Sequence, residues 1–444
     1  MLDLKDTIAA IATSNGEGGI AIVRMSGKDA KSILLRAFLP ANSKARFKHA
    51  LMRYGCITDG RGEEIDEVMA VFFRAPKSYT REDVCEVHTH GGISAQRVLE
   101  RLIELGARPA QRGEFTYRAF MNGRLTLDRA EAVMSLINAG SEQAARSSIR
   151  ELRVGATSLI GDIKRQIQEL VTLIDAAIDF PDEIDESVTV ERVRREAKQI
   201  VSGLSRAADP KYAHLIREGA SVAIAGRPNV GKSSILNRLI GADRAIVTDI
   251  AGTTRDIINE SVSINGVKLT FSDTAGIRGE SETGDKIELM GIERAQKCID
   301  EADIVLLVLD ASERLSPEDE ALLNKRDERF IIVANKDDIR TNEIKDAVRV
   351  SAITGEGMDE LRNRIYAMAS PGEDDGKLTN LRHIHKANQA MEALKRLLTL
   401  DENSFLDLYR QDLIDALMTL GEITGENVSE NVIDAIFESF CVGK

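Results

Sequence analysis

Residues 226–233 read Gly-Arg-Pro-Asn-Val-Gly-Lys-Ser, the spacing G-x-x-x-x-G-K-[ST] of a phosphate-binding loop. Gly226 and Gly231 let backbone N–H groups turn inward without a Cβ clash. The helix that follows points a favourable dipole at the bound anion. Lys232 is expected to reach the β and γ phosphates, and the Ser233 hydroxyl to bind Mg²⁺. Asp273-Thr274-Ala275-Gly276 closes an alternating apolar–polar stretch, where the aspartate serves the Mg²⁺ shell and the Gly276 N–H meets the γ-phosphate. Asn335-Lys336-Asp337-Asp338 follows the apolar run 330–334. A carboxylate there accepts both N–H donors of a guanine edge, while Asn335 and Lys336 brace the loop. Ser351-Ala352 follows Val348–Val350 and offers a backbone N–H to the guanine carbonyl. Adenine carries an amino group at that position, so the set favours GTP over ATP. Thr254, in the Thr253-Thr254 pair, supplies a second hydroxyl to Mg²⁺.

In chain order the phosphate loop, Thr254, Asp273–Gly276, Asn335–Asp338 and Ser351-Ala352 make five elements that resemble the translation-factor-like GTPases. Ras-like enzymes place a glutamine directly after the D-x-x-G turn to orient the attacking water. Here that position is Ile277, which cannot do so, and hydrolysis must recruit another group. Glu280, Glu282, Asp285 and Glu288 are the available acids before Gly291, in a polar segment fit for a switch ordered by the γ-phosphate. Asn229, inside the phosphate loop, reads in two ways. It is a loop-capping residue, or its carbonyl holds a monovalent cation in place of an arginine finger.

The elements that must position these residues follow from pattern. Ser221–Ala225 is a short apolar strand, and Ile235, Leu236, Leu239 and Ile240 recur at helical spacing after the loop. Residues 1–118 alternate short strands and glycine turns: strands at 8–12, 20–24, 68–73 and 84–87, and an amphipathic helix at 93–105. His88 and His90 lie two apart on one strand face, as metal ligands do, but no carboxylate or thiol is clearly supplied nearby. They are read as a strand-end pair. From Glu114 the pattern turns helical. Apolar residues at steps of three or four from Ala145 to Ile178 predict one long helix over 142–178, and a second runs over 190–207, ending near Asp209-Pro210. After a helix at 358–369 and a turn-rich acidic linker at 370–376, helical pattern resumes over 383–400, 405–419 and 429–440. Helices on both flanks of an α/β unit predict an inserted domain and one discontinuous bundle. The expected division is 1–118, an N-terminal α+β domain; 119–218, the first helical part; 219–370, an inserted Ras-like P-loop GTPase domain; and 371–444, the second helical part.

At 444 residues and net charge −13, the chain is a multi-domain α/β and α protein, and its charge argues against a general nucleic-acid coat. Residues 1–118 carry 18 Lys+Arg against 15 Asp+Glu, whereas 219–370 carry 20 against 27 and 371–444 carry 7 against 14. Four cysteines without paired spacing give no disulfide framework or zinc ribbon. No secretory signal or membrane-spanning run is read, and a cytoplasmic location is expected.

The whole chain is similar to one family, the tRNA-modifying GTPases MnmE, also called TrmE. The marks are the phosphate loop through Ser234, the stretch 245–256 (Ala-Ile-Val-Thr-Asp-Ile-Ala-Gly-Thr-Thr-Arg-Asp), Gly291-Ile-Glu-Arg-Ala295 and the terminal Cys441-Val-Gly-Lys444. The resemblance implies an N-terminal folate-binding and dimerising domain, and K⁺-stimulated hydrolysis with transient pairing of two G domains. It implies nucleotide contacts from Asn229, Val230, Gly231, Lys232, Ser233 and Ser234; from Thr248, Asp249, Ile250, Ala251, Gly252, Thr253 and Thr254; from Asp273, Thr274, Ala275 and Gly276; and from Asn335, Lys336, Asp338, Ser351, Ala352 and Ile353. Asn229, Thr248, Ile250 and Thr253 would hold K⁺. Glu288, chosen by its distance to Gly291, would orient the water; counting from Asp273 selects Asp285 instead. Arg24, Glu82, Arg124 and Lys444 would hold 5-formyltetrahydrofolate, although the family often has lysine where Arg124 stands. Cys441 would take part in the modification step. A homodimer, a heterotetramer with an FAD-containing MnmG-like protein, tRNA as substrate and no membrane association are the implied partners. The product would be a carboxymethylaminomethyl group on the wobble uridine. The rival reading is a ribosome-assembly GTPase of the Era or Der type, against which stands the lack of a GXXG loop after residue 370.

Overall fold

The computed structural model describes residues 5–242, 259–273 and 296–444, apart from 15, 17, 43–45, 371, 373–375 and 402–403. One unit comprises residues 1–134, 151–169 and 414–444, and the other 135–150 and 170–413.

The first unit is organised by a seven-stranded sheet. Its strands are β1 (Ile8–Ile11), β2 (Ala21–Ser26), β3 (Phe38–Pro40), β4 (Arg53–Thr58), β5 (Glu64–Phe73), β6 (Val84–Thr89) and β7 (Arg108–Pro109), in the order β3-β4-β5-β6-β2-β1-β7. All pairs are antiparallel except β1 with β7. The two-residue period of a strand explains the layering. Ala21, Val23 and Met25 of β2 and Cys85 and Val87 of β6 enter one core with α1 (Ala30–Ala37) and α2 (Ile93–Glu104). The intervening Arg24 and Glu86 fall in register with each other on the opposite face. Past β7, α3 (Glu114–Met121) and α4 (Leu127–Ile137) begin the helical part.

The predicted helix over 142–178 is two helices, α5 (Glu142–Val154) and α6 (Thr157–Asp179). Gly155 breaks it: its φ of 78° lies in the left-handed region, and its N–H closes the last turn on the carbonyl of Glu151 at 2.7 Å. Glycine just past a helix end is a common stop. The apolar stripe keeps its period through the break, which is why periodicity alone reads across it. Two more helices follow, α7 (Glu186–Ala207), capped by Asp185, and α8 (Pro210–Arg217), capped by Asp209 with proline in its first turn. Asp209-Pro210 therefore starts a helix rather than only ending one.

The second unit holds a six-stranded sheet formed by β8 (Ala220–Ala225), β9 (Asn259–Ile264), β10 (Val267–Asp273), β11 (Ile304–Asp310), β12 (Phe330–Asn335) and β13 (Val348–Arg349). Their order is β13-β12-β11-β8-β10-β9, parallel throughout except for the edge strand β9. Every residue of β11 is buried, as expected for a parallel strand covered on both faces. Helices α9 (Lys232–Ala242), α10 (Pro317–Asn324) and α11 (Met358–Ala369) belong to this domain.

After it come α12 (Leu381–Thr399), α13 (Leu406–Thr424) and α14 (Glu430–Glu438). Helix α12 packs along α7, from the other side of the inserted domain. The seam is fixed by backbone and charge: the Leu378 N–H donates to the Ala207 carbonyl at 2.9 Å, and Lys377 Nζ meets Asp209 at 3.1 Å. The two flanks thus meet within the second unit, where α7 and Asp209 contact α12 and the residues just before it.

Candidate functional site

Strand β8 ends at the centre of the second sheet, where a phosphate loop is expected at the carboxyl edge of an open α/β sheet. Gly226 has φ 138°, and a Cβ there would lie 2.3 Å from the Val308 carbonyl oxygen. Gly231 has φ 93°, and a Cβ there would lie 2.2 Å from Asn335 Nδ2. The glycine spacing therefore reflects two close approaches, one to β11 and one to Asn335 at the end of β12. Lys232 is buried, and its ammonium donates to the carbonyls of Gly226 at 2.8 Å and Arg227 at 2.7 Å. The ammonium is thus held against the first two residues of its own loop. Ser233 and Ser234 are exposed in the first turn of α9. Asn229 is exposed with a left-handed φ of 65°.

Asn335, 2% exposed, ties the loop that begins at Ser351 to the glycine loop 226–231. Its Nδ2 donates to the Val230 carbonyl at 2.8 Å, and its Oδ1 accepts from the Ala352 N–H at 3.1 Å. Lys336 adopts φ 65° and pairs with Asp310 at 2.6 Å. Burial alone would raise Asp310, but hydrogen bonds from Lys336 and Ser312 outweigh it and hold the carboxyl below its usual range. Asp338 is exposed in the one-turn helix Asp337–Ile339. Ser351 is buried, and its Oγ accepts from the Thr354 N–H at 3.1 Å. Ile353 follows, largely exposed. Asp273 stands at the end of β10, beside Ile224 of β8. Thr248, Asp249, Ile250, Ala251, Gly252, Thr253, Thr254, Thr274, Ala275, Gly276, Ile277, Glu280, Glu282, Asp285 and Glu288 lie outside the described residues.

Two residues of this site had no signal in the motif. Arg227 donates through Nε to Asp319 at 3.0 Å. Asp319 is buried and at the same time closes the capping box of α10 with Ser316, so the phosphate loop is tied to that helix. Arg238 of α9 donates to the carbonyls of Ala352, at 2.9 Å, and of Ile353.

In the first unit, Arg24, Glu82, Arg124 and Lys444 converge although they come from four separate stretches. Arg24 makes a 2.8 Å ion pair with Glu86. Its guanidinium lies 5.6 Å from the centre of the Tyr79 ring and 5.8 Å from that of Phe115. Arg124 lies 4.7 Å from the same Tyr79 ring and donates to the Tyr79 carbonyl at 2.7 Å. One tyrosine therefore carries two cations. Glu82 accepts from Ser26 Oγ at 2.6 Å and from Arg118 Nη1 at 3.3 Å. Arg118 is fully buried and also pairs with Asp6 at 2.6 Å and with buried Glu114 at 3.0 Å. Burial would raise Asp6, but Arg108 and Arg118 hold it below its usual range.

The C-terminal tail reaches this cluster by backbone pairing. The Gly113 N–H donates to the Cys441 carbonyl at 3.3 Å, Arg112 Nε donates to the Phe440 carbonyl at 3.0 Å, and Arg112 and Val442 form an antiparallel bridge. Gly443, φ 92°, fits where a Cβ would lie 2.4 Å from the Ile11 carbonyl oxygen. Burial and then the nearby charge of Arg24 push the Lys444 ammonium below its usual range. Cys441 is an exposed free thiol. Tyr79, Ser26, Glu86 and Arg118 have no sequence motif that would single them out; only the fold gathers them.

Contrary to the sequence expectation, carboxylates do stand beside the two histidines. His90 Nδ1 lies 2.7 Å from Asp66 and His88 Nε2 lies 3.6 Å from Glu86. The two acids are brought from different strands, so linear sequence does not reveal both. Among the described residues no group of three or more such side chains is arranged to hold a metal, and no helix is long and apolar enough to cross a membrane.

A family model described as GTP-binding protein TrmE N-terminus matches residues 7–124, and one described as MnmE helical domain matches residues 127–441. The tRNA modification GTPase MnmE of Listeria innocua is 42% identical over 461 aligned residues, covering 99% of each chain. The protein of the same name from Lactiplantibacillus plantarum is 40% identical over 460, covering 99% of this chain and 98% of that one. That of Streptococcus pneumoniae is 42% identical over 457, covering 99% of each.

Proposed function

The chain belongs to the MnmE family of tRNA modification GTPases and hydrolyses GTP, and we propose that its turnover is stimulated by K⁺ and serves one reaction on tRNA. That reaction is addition of a carboxymethylaminomethyl group to C5 of the wobble uridine of certain tRNAs, with a carbon derived from 5-formyltetrahydrofolate. The protein acts as a cytoplasmic homodimer joined to an FAD-containing MnmG-like partner in a heterotetramer. The working division is a folate-binding and dimerising domain at 1–118, helical parts at 119–218 and 371–444, and the G domain at 219–370.

In the G domain, Asn335, Lys336, Asp338, Ser351, Ala352 and Ile353 hold the base, and Asp338 accepts from the guanine edge. Val230, Gly231, Lys232, Ser233 and Ser234 hold the phosphates, with Asp273, Thr274, Ala275 and Gly276 and with 248–254. Ser233, a hydroxyl at the start of α9 beside the Lys232 charge, fits Mg²⁺, with Thr254 as second ligand. Asn229, an exposed amide on a left-handed turn of the loop, fits K⁺, with Thr248, Ile250 and Thr253. When bound, the two cations neutralise charge that develops on the phosphates. Glu288, or Asp285 in its stead, orients the attacking water.

In the N-terminal domain, Arg24, Arg124 and Lys444 offer positive charge to an anionic ligand, and Glu82 offers an acceptor. Cys441 lies three residues from Lys444 and serves the modification step. The observation that carries the reading is the convergence of those four residues around Tyr79, Ser26 and Arg118. A G domain alone gives no reason for that cluster. Similarity along 99% of the chain, both flanks included, weighs against an Era- or Der-type reading.

The test has two arms on the full chain without a partner. GTP hydrolysis is expected to run at least about tenfold faster in KCl than in NaCl. 5-Formyltetrahydrofolate is expected to bind the wild type and to lose most of its affinity in Arg24→Ala. Equal rates in the two salts would remove the cation reading, and no folate binding would remove the other.

A further inference from the structure

After Ser351, whose N–H donates to the Glu356 carbonyl at 3.0 Å, residues 352–354 have three N–H groups that face different ways. That of Ala352 donates to Asn335 Oδ1 at 3.1 Å, and that of Thr354 donates to Ser351 Oγ at 3.1 Å. Among the described residues, the Ile353 N–H has no acceptor. Its peptide partner, the Ala352 carbonyl, receives Arg238 Nε at 2.9 Å, and the Ile353 carbonyl receives Arg238 Nη2. In a trans peptide the N–H points opposite to the carbonyl. Fixing the Ala352 carbonyl on α9 therefore turns the Ile353 N–H away from α9.

We propose that Arg238 is a positioning residue for base selection, holding the Ala352–Ile353 peptide so that the Ile353 N–H donates to the 6-oxo group of guanine. This rests on the reading of 351–353 as the base-recognition loop. The guanidinium fork spans two consecutive carbonyls, which a single ammonium cannot do with one fixed geometry. Its charge at the carbonyl end also polarises the peptide and strengthens the N–H at the other end. The loop keeps room for the fork: Gly355 has φ 90°, and a Cβ there would lie 2.8 Å from Arg238 Nη1. Adenine, with an amino group at that position, would meet this N–H donor to donor.

The test compares GDP with 6-thio-GDP, whose sulfur is a poor acceptor at the same position. Binding is measured to the full-length wild type, Arg238→Ala and Arg238→Lys. In the wild type GDP binds more tightly than 6-thio-GDP. In Arg238→Ala the affinity for GDP falls about five- to tenfold, 6-thio-GDP changes little, and the gap between them narrows. Arg238→Lys recovers part of the gap. An equal loss for both ligands would mean a merely structural role and overturns the proposal, as does no loss for either. Asn335→Ala and Asp338→Asn separate the premise: if both leave GDP affinity unchanged, the recognition loop itself is misassigned.

Discussion

Gly231 shows how a motif residue can answer to a neighbour rather than to its own backbone alone. Its φ of 93° favours glycine, and the Asn335 amide occupies the place a side chain would take, 2.2 Å from the ideal Cβ. Gly231→Ala is expected to push Asn335 off the Val230 carbonyl and to weaken GDP binding by at least about tenfold. Titration with a fluorescent GDP analogue checks it, and an unchanged Kd would refute the coupling. At this scale the motifs single out Lys232 and Asn335, which the fold joins to one loop, Lys232 through the Gly226 and Arg227 carbonyls and Asn335 through that of Val230. It was silent where a partner comes from afar. Arg118 looks like any helix arginine until the fold surrounds it with Asp6, Glu82 and Glu114. Arg238 sits among α9 residues whose spacing shows only which face is apolar.

Among elements, strands and helices with clean periods were legible: β2, β6, α2, α11 and the three C-terminal helices all lie close to their expected ranges. The errors have physical causes. Gly155 splits α5 from α6 without disturbing the apolar period, and α8, eight residues long, begins at a proline that in sequence marks only the end of the helix before it. The terminal tail was legible as a tetrapeptide but not as an element. Only the bridge from Arg112 to Val442 makes it a strand-like strap, with Gly443 close against Ile11 at the end of β1. Gly443→Val is expected to lift that strap, because its Cβ would lie 2.4 Å from the Ile11 carbonyl oxygen. Lys444 would leave Arg24, and 5-formyltetrahydrofolate affinity would fall about tenfold with GTP hydrolysis in KCl unchanged. Retained folate affinity, measured by calorimetry, would show that the strap does not deliver Lys444 to the ligand.

For the whole molecule, the layout of a G domain spliced into a helical body was legible because both flanks carry one-sided apolar stripes. Which helices meet was not, since α7 and α12 are separated by the entire inserted domain. Leu394, fully buried in α12, tests that seam. Leu394→Ala is expected to cost about 2–5 kcal/mol and to lower hydrogen-exchange protection in α7 as well as in α12. Protection lost in α12 alone would mean that the two helices do not share one core.

The contact between Lys377 and Asp209 has a corollary. The chain departs for the G domain and returns from it at adjacent points of the helical body. The inserted stretch begins and ends at one ion pair, so chain length can change between Asp209 and Lys377 without parting the ends that α7, α8 and α12 hold.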